Sequence, residues 1–182
     1  MKSLSIFCGS SGGTNGIYAE ITQQVGKILA ERNITLVYGG GSYGLMGVAA
    51  SAVMEHGGNV IGVIPTLLVE KEAAKRDITE LIVVDSMQER KMKMMDLSDG
   101  FLILPGGLGT MDELFEMMAF VNLNVHRKPS GLLNIAGFYN DLIRFVGHAT
   151  DEGFIKSETR RYMVHHDDPV KLIQAMESLH GT

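Results

Sequence analysis

The chain has 182 residues, a length that suits one domain, and its 45% hydrophobic content excludes general disorder. Sixteen Lys+Arg stand against 21 Asp+Glu, a net charge of −5 with a pI near 5.6, which argues against a sequence-blind nucleic-acid binder and the basic face it needs. A single cysteine excludes an intramolecular disulfide framework and any multi-cysteine zinc site.

The first residues, Met1-Lys2-Ser3-Leu4-Ser5-Ile6-Phe7-Cys8-Gly9, carry one lysine and an apolar run that stops at Gly9, too short for a signal peptide. They read as a first strand, Ser3–Cys8, entering a turn. No later stretch approaches the roughly 18–20 apolar residues of a membrane span, so a cytoplasmic protein without a membrane partner is expected. Gly16–Arg32 follows as a helix whose Ile17, Ile21, Val25, Ile28 and Leu29 recur at helical spacing. The order continues with strand Thr35–Tyr38, helix Gly44–His56, strand Asn59–Ile64, strand Leu81–Val84, helix Ser86–Ser98 and strand Gly100–Leu104. Helix Thr110–Asn124, strand Ser130–Leu133, helix Phe138–Glu152, strand Arg161–Val164 and helix Pro169–Leu179 complete it. Several strands lack polar alternation, as expected where both faces are covered. Alternating strands and helices, with no repeat, linker or low-complexity tract, predict one α/β domain over residues 1–182: three layers, α/β/α, around a central parallel sheet.

The 22 glycines are not spread evenly, and three clusters sit where a predicted strand ends and a helix begins. The clusters are Gly9-Ser10-Ser11-Gly12-Gly13, Gly39-Gly40-Gly41-Ser42-Tyr43-Gly44 and Gly106-Gly107-Leu108-Gly109-Thr110. In an open parallel sheet these ends share one edge, where ligands bind, and free N–H groups of the following helices favour a phosphate. The bland alternative is that glycine merely permits tight reversals. Gly39, Gly41 and Gly44 match G-x-G-x-x-G, but Gly62-Val63-Ile64-Pro65 stand where a dinucleotide site wants an acid for the ribose, so NAD is disfavoured. No cluster ends in the Gly-Lys-Ser/Thr of a P-loop. The six histidines show no shared metal-ligand spacing, and no metal or other cofactor is expected.

The segment Pro105-Gly106-Gly107-Leu108-Gly109-Thr110-Met111-Asp112-Glu113 completes the pattern PGGxGTxxE. With Glu89-Arg90-Lys91, Gly39–Gly47, Cys8–Ser11, Val63-Ile64-Pro65, His126–Pro129 and Asp151–Ile155, it resembles the LONELY GUY (LOG) family of cytokinin riboside 5′-monophosphate phosphoribohydrolases, over roughly residues 3–170. The resemblance implies a Rossmann-like homodimer that hydrolyses the N-glycosidic bond of a nucleoside 5′-monophosphate, AMP or an N6-substituted analogue, to free base and ribose 5-phosphate. It implies Arg90 and Glu113 as the catalytic pair. It also implies substrate contacts from Glu72, Lys91 and the Gly107–Glu113 segment, with Gly107, Gly109, Thr110, Met111 and Asp112. Two segments depart from the pattern: Phe115–Asn122 lacks a tryptophan common in plant-like members and has Ala119 for a frequent threonine, and the surroundings of Glu72 differ. Some members of the family have been labelled lysine decarboxylases, yet nothing here marks a Schiff-base lysine.

Cleavage of a glycosidic bond passes through a ribosyl cation-like state and needs a carboxylate near the sugar and a placed water. Asp112 and Glu113 are neighbours on a predicted helix, about 100° apart, so they cannot face each other; the family pattern selects Glu113. Arg90 either positions that carboxylate or binds the nucleotide. Phosphate contacts are expected from main-chain donors of the first two glycine clusters as well, at Gly9, Ser10, Gly40, Gly41, Ser42 and Gly44. The competing reading makes Thr110-x-x-Glu113 a capping box, like Ser86-x-x-Glu89. Met87, Met92, Met94, Met95, Met111, Met117 and Met118 read as core or dimer packing more readily than as a purine wall. Met117, Met118, Phe120 and Val121 predict an apolar dimer face. Cys8 reads as buried filler. The alternative function is a non-catalytic nucleotide carrier such as the molybdenum-cofactor carriers, which loss of the Arg/Glu pair would favour.

Overall fold

The computed structural model describes residues 1–71 and 73–180. The chain runs β1 (Ser3–Phe7), α1 (Ile17–Glu31), β2 (Thr35–Tyr38), α2 (Gly44–Glu55), β3 (Val60–Pro65), β4 (Glu80–Val84), α3 (Met87–Asp96) and β5 (Phe101–Ile103). It continues α4 (Leu108–Asn122), β6 (Ser130–Leu133), α5 (Asn140–Asp151), the single turn α6 (Ser157–Arg160), β7 (Met163–His166) and α7 (Pro169–Leu179). The sheet order is β4-β3-β2-β1-β5-β6-β7, and each ladder is parallel. This is a Rossmann-like α/β fold.

Because side chains alternate along a strand, the inner strands supply both cores. Leu4 and Ile6 of β1, Leu36 and Tyr38 of β2 and Leu102 of β5 pack with Val25 and Leu29 of α1, Ala49 and Val53 of α2 and Leu172, Ile173 and Met176 of α7. On the other face Phe7, Val37, Phe101 and Ile103 meet Met94 and Met95 of α3, Leu114, Met117 and Met118 of α4 and Val146 of α5. Phe7 and Phe101 stack across the β1–β5 seam with ring centroids 5.8 Å apart. Each such buried Leu or Phe contributes about 1.5–3 kcal/mol, so the central strands are held from both sides.

Local signals set the helix starts. Asp168 Oδ1 accepts from the Lys171 amide at 3.0 Å and Pro169 fills the first position of α7. Ser86 Oγ accepts from the Glu89 amide at 3.1 Å, and Glu89 Oε2 reaches back to the Asp85 amide at 2.9 Å, a capping box closed one residue early. Two expectations shift. Arg161 and Tyr162 close the turn after α6, with the Tyr162 amide donating to Thr159, so β7 starts at Met163 and takes in His165 and His166. Met117, Met118 and Val121, expected on a dimer face, are instead buried within the chain itself, Met117 and Met118 in the core between α4 and the sheet. No helix among the described residues is long and apolar enough to cross a membrane.

Candidate active site

Strand order reverses at β1, which lies between β2 and β5. The connections from β1 and β5 leave toward opposite faces, α1 to one and α4 to the other, and their divergence opens a crevice at the carboxyl ends. A cleft of about 270 Å³ occupies it, floored by Ile6, Phe7 and Cys8. Its walls are Gly9 and Ser10 after β1, Gly39 and Met46 around the start of α2, Leu68, then Met87 and Arg90 of α3, and Gly107–Thr110, Asp112 and Glu113 of α4.

Arg90 sits one turn inside α3, its amide bonded to the carbonyl of the capping Ser86. It is only 5% exposed. Its Nη2 donates to the Gly39 carbonyl at 3.0 Å, and Nη1 lies 3.9 Å from the Met87 sulfur. A Cβ at Gly39 would overlap Nη2 and stand 2.9 Å from Cζ, so the guanidinium occupies the space where β2's next side chain would be. An arginine stays charged in any protein environment, and a desolvated cation demands negative charge nearby. Glu113 lines the same cleft. Both charges act on Cys8: burial pushes its thiol well up, Glu113 adds to this, and Arg90 opposes it. Cys8 is therefore a protonated thiol in the floor, not a nucleophile.

The helix α4 starts at Leu108, two residues before the expected Thr110, with Gly107 as an N-cap that offers no side-chain bond. Thr110 is thus the third helical residue, and Glu113 lies a full turn inside the helix rather than closing a capping box. Leu108, Gly109 and Thr110 line the crevice, and a helix leaves such first-turn amides without intrahelical partners at the positive end of its dipole, a natural anion seat. No neighbour lies within 4 Å of where a Cβ would stand at Gly107 or Gly109. The Gly9 amide donates to Pro105 at 3.0 Å, and the Leu45 amide to Gly9 at 3.1 Å, so the three loops are tied together.

Of the residues singled out from sequence, the cleft brings together Arg90, Glu113, Gly9, Ser10, Gly107, Gly109, Thr110 and Asp112. Gly40, Gly41, Ser42 and Gly44 do not line it. The Lys75 amide donates to Gly40 at 2.9 Å, Gly41 bridges Ala74, and Ser42 Oγ donates to Ala73. Met111 packs against the α3–α4 core. Lys91 turns to α4, where its Nζ is 3.0 Å from both Asp112 Oδ2 and Glu116 Oε2. Glu72 lies outside the described residues. Of the other lining residues, Gly39, Met46 and Leu108 enter the sequence reading only as members of glycine-rich segments, Met87 is read there as packing, and Leu68 is not singled out. For Met87 the signal of a site role was its spacing of three from Arg90, which puts both on one side of α3; for the pairing of Gly39 with Arg90 there was none, since the two are 51 residues apart.

Residues 46–176 match a family model described as "Possible lysine decarboxylase". The cytokinin riboside 5′-monophosphate phosphoribohydrolase LOG5 of Arabidopsis thaliana is 44% identical over 177 residues, covering 97% of this chain and 78% of that protein. This chain belongs to the LOG family. A second LOG relative, the probable cytokinin riboside 5′-monophosphate phosphoribohydrolase LOGL2 of Oryza sativa subsp. japonica, is 45% identical over 176 residues, 97% of this chain and 72% of its own. The LOG fold is shared more widely. The Moco carrier protein of Chlamydomonas reinhardtii superposes with a TM-score of 0.72 at 21% identity, covering 97% of this chain and 96% of that one.

Proposed function

We propose that this LOG protein hydrolyses the N-glycosidic bond of a nucleoside 5′-monophosphate, AMP or an N6-substituted AMP such as a cytokinin riboside 5′-monophosphate. The observation that carries the reading is the placement of Arg90 and Glu113 in one cleft with the amino end of α4. The 5′-phosphate sits on the amides of Leu108, Gly109 and Thr110, where Gly107 and Gly109 leave room for its oxygens. This seats the ribose beneath Glu113. Glu113 orients a water at C1′ and stabilises the positive charge that develops there as the bond to the base lengthens. The water oxygen bonds to C1′, the C1′–N bond breaks with its electron pair going to the base, and one proton of the water is transferred to that nitrogen. Arg90, anchored on the Gly39 carbonyl, orients the Glu113 carboxylate. Leu68 and Met87 give the base an apolar wall.

Lys91 argues against a decarboxylase that uses a Schiff base. Partial burial pulls its ammonium down, but Glu116 and Asp112 outweigh this and hold it above the ordinary lysine value; a Schiff-base lysine needs the reverse. The setting assigned is a cytoplasmic homodimer. The dimer is supported by an apolar groove of about 240 Å³ at Phe115, Ala119 and Phe154, with Phe154 87% exposed. Monomeric sedimentation at micromolar concentration would remove that part.

The test of the reaction is base release from AMP and from its isopentenyl-substituted analogue, followed by chromatography. Wild-type protein yields base and ribose 5-phosphate, and Glu113→Gln lowers turnover about 10²–10⁴-fold with nucleotide still bound. Saturable binding without base release would make the protein a carrier instead.

A further inference from the structure

We propose that Tyr139 is a positioning residue for the cleft: its phenol holds the Leu104 carbonyl, which ends the β1–β5 ladder one step early and sets the Pro105–Gly107 turn and the amino end of α4. The inference rests on the hydrolytic reading above, and Tyr139 itself does not line the cleft. Its ground is a slip in hydrogen bonding. Between β1 and β5 the Ser5 amide donates to Gly100 and the Leu104 amide to Phe7, each at 3.0 Å, with Phe7 opposite Ile103. A parallel ladder carried two residues further would send the Gly9 amide to the Leu104 carbonyl. It donates instead to Pro105, one residue on, at 3.0 Å. Leu104 is fully buried, and its released carbonyl accepts from the Tyr139 hydroxyl at 2.6 Å. Tyr139 is only 2% exposed, and burial, with Cys8 adding to it, raises its pKa well above the usual phenol value, so it stays an O–H donor.

The phenol is aimed by the turn that follows β6. The Asn134 amide donates to the His166 carbonyl of β7 at 2.9 Å; its Oδ1 accepts from the Tyr139 amide at 2.7 Å, and its Nδ2 donates to Asn140 Oδ1 at 2.8 Å. Ala136 and Gly137 turn the chain back with φ of +51° and +75°. At the other end of the bond the Pro105–Gly107 turn has no slack. A Cβ at Gly106 would overlap Thr110 Oγ1 and stand 2.9 Å from the Gly9 nitrogen, so the turn is wedged between the first loop and α4. A buried carbonyl stripped of its partner is costly, and without the hydroxyl the in-register donor for Leu104 is the Gly9 amide. Re-pairing there draws the turn along β1 by part of the roughly 3.3 Å rise of one residue, and Thr110 and Glu113 move with it. Misplacement of about 1 Å at a reacting centre costs on the order of 10²-fold in rate.

The experiment compares Tyr139→Phe with Asn134→Ala, which loosens the same phenol from its other end, and with Ile173→Val, which removes one buried methylene on α7. It reads kcat/KM for AMP, the Kd of ribose 5-phosphate and, by NMR, the coupling across the hydrogen bond from the Gly9 ¹⁵N to the Pro105 ¹³C carbonyl. In Tyr139→Phe we expect kcat/KM to fall on the order of 10²-fold, ribose 5-phosphate to bind about tenfold more weakly, and the coupling to leave Pro105 for Leu104. Asn134→Ala reproduces part of each change. Ile173→Val melts earlier and keeps rate, affinity and coupling. An unchanged affinity for ribose 5-phosphate in Tyr139→Phe, or a coupling that stays on Pro105, would make Tyr139 a packing residue and overturn the proposal. Should wild type bind AMP and release no base, the hydrolytic reading fails by itself, while the affinity and the coupling still decide the role of Tyr139.

Discussion

The loops after β2 and β5 are written in the same letters and do opposite work. After β2, Gly39 and Gly44 are demanded by protein: one leaves space for the Arg90 guanidinium, and the other, at φ +58°, has the backbone of Ser10 and Ser11 where a Cβ would be. After β5, Gly107 and Gly109 have nothing within 4 Å of that position and border the cleft. A glycine can thus be kept by a neighbour already present or by one that arrives as a ligand. Substitution separates the cases, because the first kind is read in stability and the second in binding.

The largest effect is expected at Gly39→Ala, which breaks the division by harming both. Forcing a methyl into the guanidinium's place costs about 1–3 kcal/mol of stability, and the displaced Arg90 lowers kcat on the order of 10²-fold; thermal melts and base-release rates measure the two. Gly44→Ala stays on the structural side. It combines a left-handed backbone with a backbone collision, for roughly 2–4 kcal/mol in denaturant titrations, while correctly folded protein keeps its rate. Gly109→Ala crosses over. Alanine in the first turn of α4 stabilises by about 0.5–1 kcal/mol, yet it intrudes on the phosphate seat, and KM rises about tenfold, roughly 1.4 kcal/mol. An unchanged KM there would return Gly109 to a packing role.

The smallest effect is a background slope that these comparisons must be measured against. His126 is wedged between Phe101 and Phe120, and burial, reinforced by Lys128, pulls its pKa from 6.5 down to about 4. Between these values the unfolded chain takes up a proton that the folded chain refuses, so stability falls as pH drops from about 6.5 toward 4 and is untouched above that window. Denaturant midpoints across this range should flatten in His126→Asn, and a slope that persists would assign the effect elsewhere.

The architecture was legible because covered strands such as Phe101–Leu104 announce themselves as apolar runs between glycine-rich turns; Leu81–Val84, equally apolar and expected to be covered on both faces, is instead one edge of the sheet, with Val83 53% exposed. The other edge was harder. β7 has a polar pair, His165 and His166, where an inner strand would be apolar, and its start is fixed by the turn after α6, a single helical turn too short to leave a period in the sequence. In the site, Arg90 and Glu113 stood out through their motifs, but what seats them did not. The Gly39–Arg90 bond joins residues 51 apart, and the Lys91 pairs depend on how α3 lies on α4. The start of α4 was misread for a local reason: Gly107-Leu108-Gly109-Thr110 offers a hydroxyl that looks like a cap, whereas the helix begins at Leu108 without one.

The sheet order has a bearing on how the cleft comes into being. Every described residue that lines it lies between Ile6 and Glu113, so a ribosome delivers all of them before β6 exists. Yet β5, from whose end α4 departs, then has β1 on one side and a bare row of amides and carbonyls on the other. The cleft's components are made early and its foundation late: until Ser130–Leu133 docks on that open side, the nascent chain carries a complete set of site residues on an unfinished sheet.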